Sequence, residues 1–170
     1  MQGGDALNIK GLYGIWSRYE VETNGVLVAH ASIYGNTAAV AHCIAEQLRS
    51  NGVEVKEIDL CRSDISEAVS QAFRYGKMVF CAASYDGGVF PPMHEFLYKL
   101  GIKGYQSRRV GIVENGTWAP TAGKTMCSIL EQMKNIDIIS PILTIRSAWK
   151  KDYQQDLEKL VEGVIREDIK

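Results

Sequence analysis

"GVLVAHASIYGNTAAVAHCIAEQL", residues 25–48, is the stretch from which the architecture of this chain can be worked out. It opens with an apolar run, "GVLVAHA" (25–31), of the kind that forms a buried strand. It closes in a helical pattern, with Val40, Ile44 and Leu48 recurring every four residues. Between them lies "SIYGNT". Ser32, Tyr34, Asn36 and Thr37 offer side-chain donors, and Gly35 permits a tight turn close to a ligand. The first N–H groups of a helix lack intrahelical acceptors, and the helix dipole adds positive potential at the same place. Strand, hydroxyl-rich turn and helix therefore predict a site that can hold phosphate without Lys or Arg. The same residues also read as an ordinary helix start, with Asn36 or Thr37 as cap and no ligand.

The alternation continues down the chain. "NG" at 51–52 stops the helix, and "VEVKEIDL" (53–60) alternates apolar and charged residues like a strand with an exposed side. Asp64 caps an expected helix running to about Tyr75, with Ile65, Ala68, Val69, Ala72 and Phe73 on one face. "KMVFCAA" (77–83) is continuously apolar, as a strand covered on both faces should be. A third helix carries Phe96, Leu97 and Leu100; "RRVGIVEN" (108–115) is a fourth strand; a fourth helix carries Met126, Ile129, Leu130 and Met133. "IISPILTIR" (138–146) reads as a fifth strand, where Pro141 implies an edge position or a bulge. The last helix lines up Tyr153, Leu157, Leu160, Val161, Val164 and Ile165.

Strict βαβ alternation predicts an α/β fold: a doubly wound five-stranded parallel sheet with helices on both faces. This domain spans residues 25–170. Residues 1–24 stand outside it as a connector, where Leu12, Ile15, Trp16 and Tyr19 would make one short amphipathic helix and "ETNG" leads into the first strand.

Composition narrows the function. With 19 Lys and Arg against 20 Asp and Glu the net charge is −1, which argues against nucleic acid as a main partner. Cys43, Cys61, Cys81 and Cys127 contain no CxxC pair and read as reduced thiols of a cytoplasmic protein. No run approaches the ~18 apolar residues of a membrane span, and no signal-peptide pattern begins the chain. His30, His42 and His94 form no clustered ligand pattern, so none is assigned to a metal.

In doubly wound folds ligands sit outside the carboxyl ends of the strands. The loop after the third strand, "SYDGGVFPP" (84–92), combines two glycines with Tyr85 and Phe90, and Pro91 and Pro92 stiffen the next helix entry. An Asp-Gly turn between strand and helix is its plainer reading. The loop after the fourth strand, "ENGTWAP" (114–120), again joins Gly, small polar residues and an aromatic. No GxGxxG follows the first strand, which disfavours a dinucleotide site. "AGKT" (122–125) lacks the leading Gly of a phosphate-binding P-loop, because Trp118 stands there. A receiver-type signalling domain would need carboxylates at the end of the first strand, and "LVAHAS" has none. A phosphate at one end and a flat aromatic-lined slot at the other describe flavin mononucleotide (FMN).

Taken in order, "SIYGNT", "SYDGGVFP" and "ENGTWAP" resemble the three FMN loops of flavodoxin-like proteins, and most nearly those of the C-terminal domain of A-type flavodiiron proteins. "YGIW" at Tyr13–Trp16 resembles the connector before that domain. The resemblance implies a strand order of 2-1-3-4-5. It implies that Ser32, Tyr34, Gly35, Asn36 and Thr37, with Ile33 on the same loop, hold the FMN phosphate. Tyr85, Asp86, Gly87, Gly88 and Phe90 would line one side of the ring, with the Gly87–Gly88 backbone near flavin N5. Asn115, Gly116, Thr117 and Trp118 would line the other, although "ENGTWAP" departs from the family's glycine-rich third loop. The implied function is an FMN electron-transfer domain of an oxidoreductase. It would pass electrons from a rubredoxin- or reductase-like donor to a di-iron oxygen or nitric oxide reductase centre that this chain does not contain. A homodimer is implied too, as is an origin as one domain of a longer protein. An FMN-dependent NAD(P)H or quinone oxidoreductase is the alternative.

Overall fold

The structure, a computed structural model, describes residues 21–116, 120–146 and 148–166. The connector helix expected around Leu12 to Tyr19, and Thr117 and Trp118 of the third loop, lie outside them. The first strand, β1 (Thr23–Ala31), begins two residues earlier than the apolar run and is buried from Gly25 onward. Glu22 already belongs with the domain, its N–H donating to the Arg74 carbonyl at 3.0 Å and its carboxylate pairing with the Arg74 guanidinium.

β1 lies parallel between β2 (Val55–Asp59) and β3 (Tyr75–Tyr85). Beyond β3 come β5 (Arg108–Asn115) and then β6 (Ile136–Ile138), also parallel, giving the order β2-β1-β3-β5-β6. Skipping the two-residue β4 (Gly88–Val89), this is the expected 2-1-3-4-5 arrangement. Side chains alternate across β1. Leu27, Ala29 and Ala31 enter one core, shared with α2 (Ile65–Arg74), α3 (Pro91–Ile102) and α4 (Ala122–Glu131). Val26 and Val28 enter the other, under α1 (Asn36–Ser50) and α5 (Gln154–Ile165). Val40, Ile44 and Leu48 are fully buried there, so the four-residue spacing in the sequence is the inner stripe of α1. Full burial of such a side chain contributes about 1.5–3 kcal/mol, and helices on both faces are how this chain obtains it.

Two local expectations change. Asp64 does cap α2, accepting the Ser66 N–H at 3.0 Å, but the helix stops at Arg74 and the chain enters β3 directly at Tyr75. The single strand expected over 138–146 is two pieces. β6 runs beside Arg108–Val110, and β7 (Leu143–Ile145) runs beside Val113–Asn115, with Ser140 and Pro141 between them. Proline has no N–H to give to the ladder, and at an edge the break costs the rest of the sheet little.

Candidate functional site

Because the core strands are parallel, β1, β3, β5 and β7 end on the same side, and the loops that follow them gather there. In the first loop Gly35 has φ +88° and its N–H donates to Ser32 Oγ at 2.8 Å. Only glycine holds that left-handed geometry without strain. A methyl built at Gly35 would meet nothing within 4 Å, so backbone geometry, and not crowding, selects glycine. Ser32 Oγ accepts here, which leaves its hydroxyl hydrogen to donate elsewhere.

Gly35, not Asn36 or Thr37, is the N-cap of α1, and no side chain caps the helix. This corrects the capped-helix reading. The left-handed turn at Gly35 puts a residue without a side-chain acceptor at the cap position. The first-turn N–H groups are thus left open to an incoming acceptor, and no carboxylate sits in that turn to compete. Asn36 is exposed, whereas Thr37 is 2% exposed.

The second loop is a tight hairpin. Ser84 pairs with Val89 and Tyr85 with Gly88, and Asp86 (φ 48°) and Gly87 (φ 76°) occupy its two central positions. Left-handed backbone at both is the type I′ turn, for which Asp-Gly is a preferred sequence. Gly88 therefore belongs to β4, and the turn proper is Asp86–Gly87. Tyr85 stands half exposed with its ring 5.7 Å from that of half-buried Phe90.

The third loop leaves β5 at Asn115, which is buried, and the Gly116 N–H donates to the Ile145 carbonyl at 3.0 Å. A methyl at Gly116 would come within 3.0 Å of Pro120 Cα and of Ser84 Oγ, so loops two and three touch. Residues absent from the expected set lock them together. Ser84 Oγ accepts the N–H groups of Thr121 (2.8 Å) and Ala122 (3.1 Å), and Thr121 Oγ1 donates to the Gly88 carbonyl at 2.7 Å. Thr121 is the N-cap of α4, but the capping oxygen comes from Ser84, 37 residues away. Buried Glu114 accepts from the Gly123 N–H (2.6 Å) and from Thr144 Oγ1 (2.8 Å), joining β5, α4 and β7. Nothing local in the sequence marks these partners; only the strand order brings them together.

The histidines take no part in these loops. His30 is buried at the end of β1, its Nδ1 without a hydrogen bond. Burial lowers its pKa below 6.5, opposed by the carboxylates of Asp59 and Glu57. His42 meets Glu57 at 3.0 Å, and His94 is exposed on α3.

The residues present suit FMN in three respects. Loop one offers open N–H groups and a free hydroxyl hydrogen. Of the five large apolar side chains exposed among the described residues, Ile33, Tyr34 and Tyr85 project from loops one and two; the others are Tyr98 and Ile102 on α3. Tyr34 is 90% exposed. Ile33, Tyr34 and Tyr85 all stand at the carboxyl end of the sheet. Two concavities lie elsewhere, about 550 Å³ along the broken sheet edge near Pro141 and about 420 Å³ between the ends of α3 and α4. Neither is lined by any described residue of the three loops.

Comparison with known proteins places this arrangement. An uncharacterized protein of Methanocaldococcus jannaschii is 24% identical over 142 residues, 83% of this chain and 36% of that protein. Rubredoxin oxygen:oxidoreductase from Desulfovibrio gigas superposes with a TM-score of 0.84 at 18% identity, over 91% of this chain and 38% of that one. The flavodiiron protein of Giardia intestinalis gives 0.81 at 17% identity, over 89% of this chain and 38% of that one. Oxidised flavodoxin 1 of Bacillus cereus gives 0.72 at 17% identity, over 85% of this chain and 99% of that one. The chain thus spans little more than a third of the longer relatives and matches a flavodoxin over nearly that protein's whole length. The flavodoxin family matches residues 28–157, a span containing all three loops and the five-strand order, and the chain belongs to the flavodoxin family.

Proposed function

We propose that this chain is an FMN-binding electron-transfer domain. The observation that carries this reading is the pairing of an uncapped helix N-terminus at Gly35–Thr37 with the exposed rings of Tyr34 and Tyr85 on one end of the sheet. Ser32 and the first-turn N–H groups of α1 bind the phosphate, and Thr37 supplies a hydroxyl in that turn. Tyr85, Phe90 and the Asp86–Gly88 backbone form one wall of the ring site. Asn115 and Gly116 belong to the other, to which the resemblance adds Thr117 and Trp118, and the Ser84–Thr121 bond ties the second loop to the start of α4. When bound, FMN supplies one- and two-electron redox chemistry; the protein orients it and excludes water from one side. The likeness to flavodiiron proteins, each more than twice as long as the matched part, supports a cytoplasmic domain that works with a di-iron module as acceptor and a rubredoxin- or reductase-like donor, in a homodimer. The test is direct. Purified chain incubated with FMN and desalted should stay yellow and bleach with dithionite. A chain that emerges colourless overturns the reading, and steady NADPH oxidation by the loaded chain would favour an oxidoreductase instead.

A further inference from the structure

We propose that the groove between the ends of α3 and α4 is the docking site for this chain's own Leu12–Tyr19 segment, which seats Leu12, Ile15, Trp16 and Tyr19 there. The groove is the cavity of about 420 Å³, and Leu97, Tyr98, Ile102, Tyr105, Ile129 and Met133 line it. It lies where α3 and α4 turn back into β5 and β6, at the amino end of the sheet and away from the three loops. Tyr98 and Ile102 are the two exposed apolar side chains that do not belong to the loops. Tyr105 is 1% exposed, yet its Oη has no hydrogen-bond partner among the described residues. Buried hydroxyls are nearly always bonded, so this groove lacks the piece that covers it and supplies that bond.

The chain itself leads to this place. A methyl built at Gly76 would stand 3.3 Å from Val21 Cγ1, and the Glu22 N–H donates to the Arg74 carbonyl. Arg74 follows Phe73, whose ring meets that of Tyr105 edge-on at 5.5 Å. Arg108 ties the same residues together, donating from Nη2 to the Phe73 carbonyl at 2.9 Å and from Nε to the Tyr75 carbonyl at 3.0 Å. Residues 1–20 thus join the described domain at the amino end of β1. From there the start of β5 is two strand spacings away, about 10 Å. Two extended residues and a two-turn helix, at ~3.5 and ~1.5 Å per residue, cover that distance and still lie along the groove. Leu12, Ile15, Trp16 and Tyr19 are spaced as one apolar helix stripe, and so short a helix needs a surface to pack on. The other cavity suits it less, being lined by Asp137, Lys159, Glu162 and Arg166 at the far edge of the sheet. A second copy suits the groove less, because a stable dimer takes roughly 800 Å² from each partner, more than Tyr98 and Ile102 offer. Docking at this end leaves the three loops unobstructed and is independent of FMN.

Trypsin acting on the full chain under native conditions tests this, because Arg18 lies inside the docked segment. Cleavage of a segment that opens transiently follows the population of its open form. Ile102→Glu places a charge in the groove at a side chain that is 60% exposed, which spares the core. Cleavage after Arg18, followed by mass spectrometry, should then run roughly 10-fold faster than in the wild type. Trp16→Ala, which removes the largest docked side chain, should accelerate it similarly. Lys159→Glu, in the other cavity, should leave the rate unchanged. Tyr98→Ser takes the place of Ile102→Glu if that variant lacks the wild-type urea transition. Wild-type rates in both the groove variant and Trp16→Ala, or equal acceleration by Lys159→Glu, overturn the proposal. So does protection that rises with protein concentration, which would give the groove to a second copy.

Discussion

Thr37 shows how a single position can be legible in type and misleading in role. Its place after Gly35 points to a helix start, and "SIYGNT" was enough to predict an anion turn. The sequence does not show that Gly35 takes the cap position at φ +88° and leaves the first turn uncapped. That outcome depends on the Ser32–Gly35 bond, which either reading allows. Thr37→Ala should weaken FMN by about 1.5–3 kcal/mol, the size of one hydrogen bond to a charged group. Riboflavin, which lacks the phosphate, should bind the variant as it binds the parent. Parallel fluorescence titrations of both flavins check this, and an equal loss for the two would remove Thr37 from the phosphate site. Thr121 was legible as a helix cap and is the N-cap of α4, but the bonds made by Ser84, Thr121 and Glu114 were not, because their partners lie 37, 33 and 30 residues away.

Elements were far more legible than these pairings, for a physical reason: helix faces and buried strands leave periodic patterns, and cross-chain hydrogen bonds do not. All five helices described lie where their apolar spacing put them. The exception is the edge. "IISPILTIR" has the composition of one strand, but Pro141 cannot join a ladder, so the segment divides into β6 and β7 around it. The sheet also sets how closely helices approach. A methyl at Gly111 of β5 would lie 2.9 Å from Leu160 Cδ1 and 3.2 Å from Val164 Cγ2 of α5. Gly111→Ala should therefore cost about 1–3 kcal/mol through overpacking, read as a lower urea midpoint with an unchanged slope. Stability equal to wild type would mean that α5 rests less firmly on the sheet than described.

At the scale of the whole molecule, the two cores lie on the faces of the sheet, and the candidate site lies at the carboxyl ends of its strands. One buried group links stability to pH. Burial lowers the pKa of His30 below 6.5, so on acidification the unfolded chain takes up a proton that the folded chain resists. Stability from this group is complete above pH 6.5 and is lost as pH falls through 6.5 toward the folded-state value. Urea midpoints measured from pH 7.5 to 5 should decline in the wild type and decline less in His30→Gln; identical slopes would show that His30 plays no part. The fold class was readable from one sequence and the strand order came with the family resemblance, whereas the bonds of Ser84 and Glu114 that tie the loops together emerged only when β3, β5, α4 and β7 were brought to one end. The measurement that bears most directly on the central claim is a fluorescence titration of FMN with the apo chain. Quenching to a one-to-one end point, with Kd of ~1 µM or tighter and riboflavin at least roughly 10-fold weaker, is the predicted result. FMN left fluorescent at ~100 µM protein, or riboflavin bound as tightly as FMN, would contradict it.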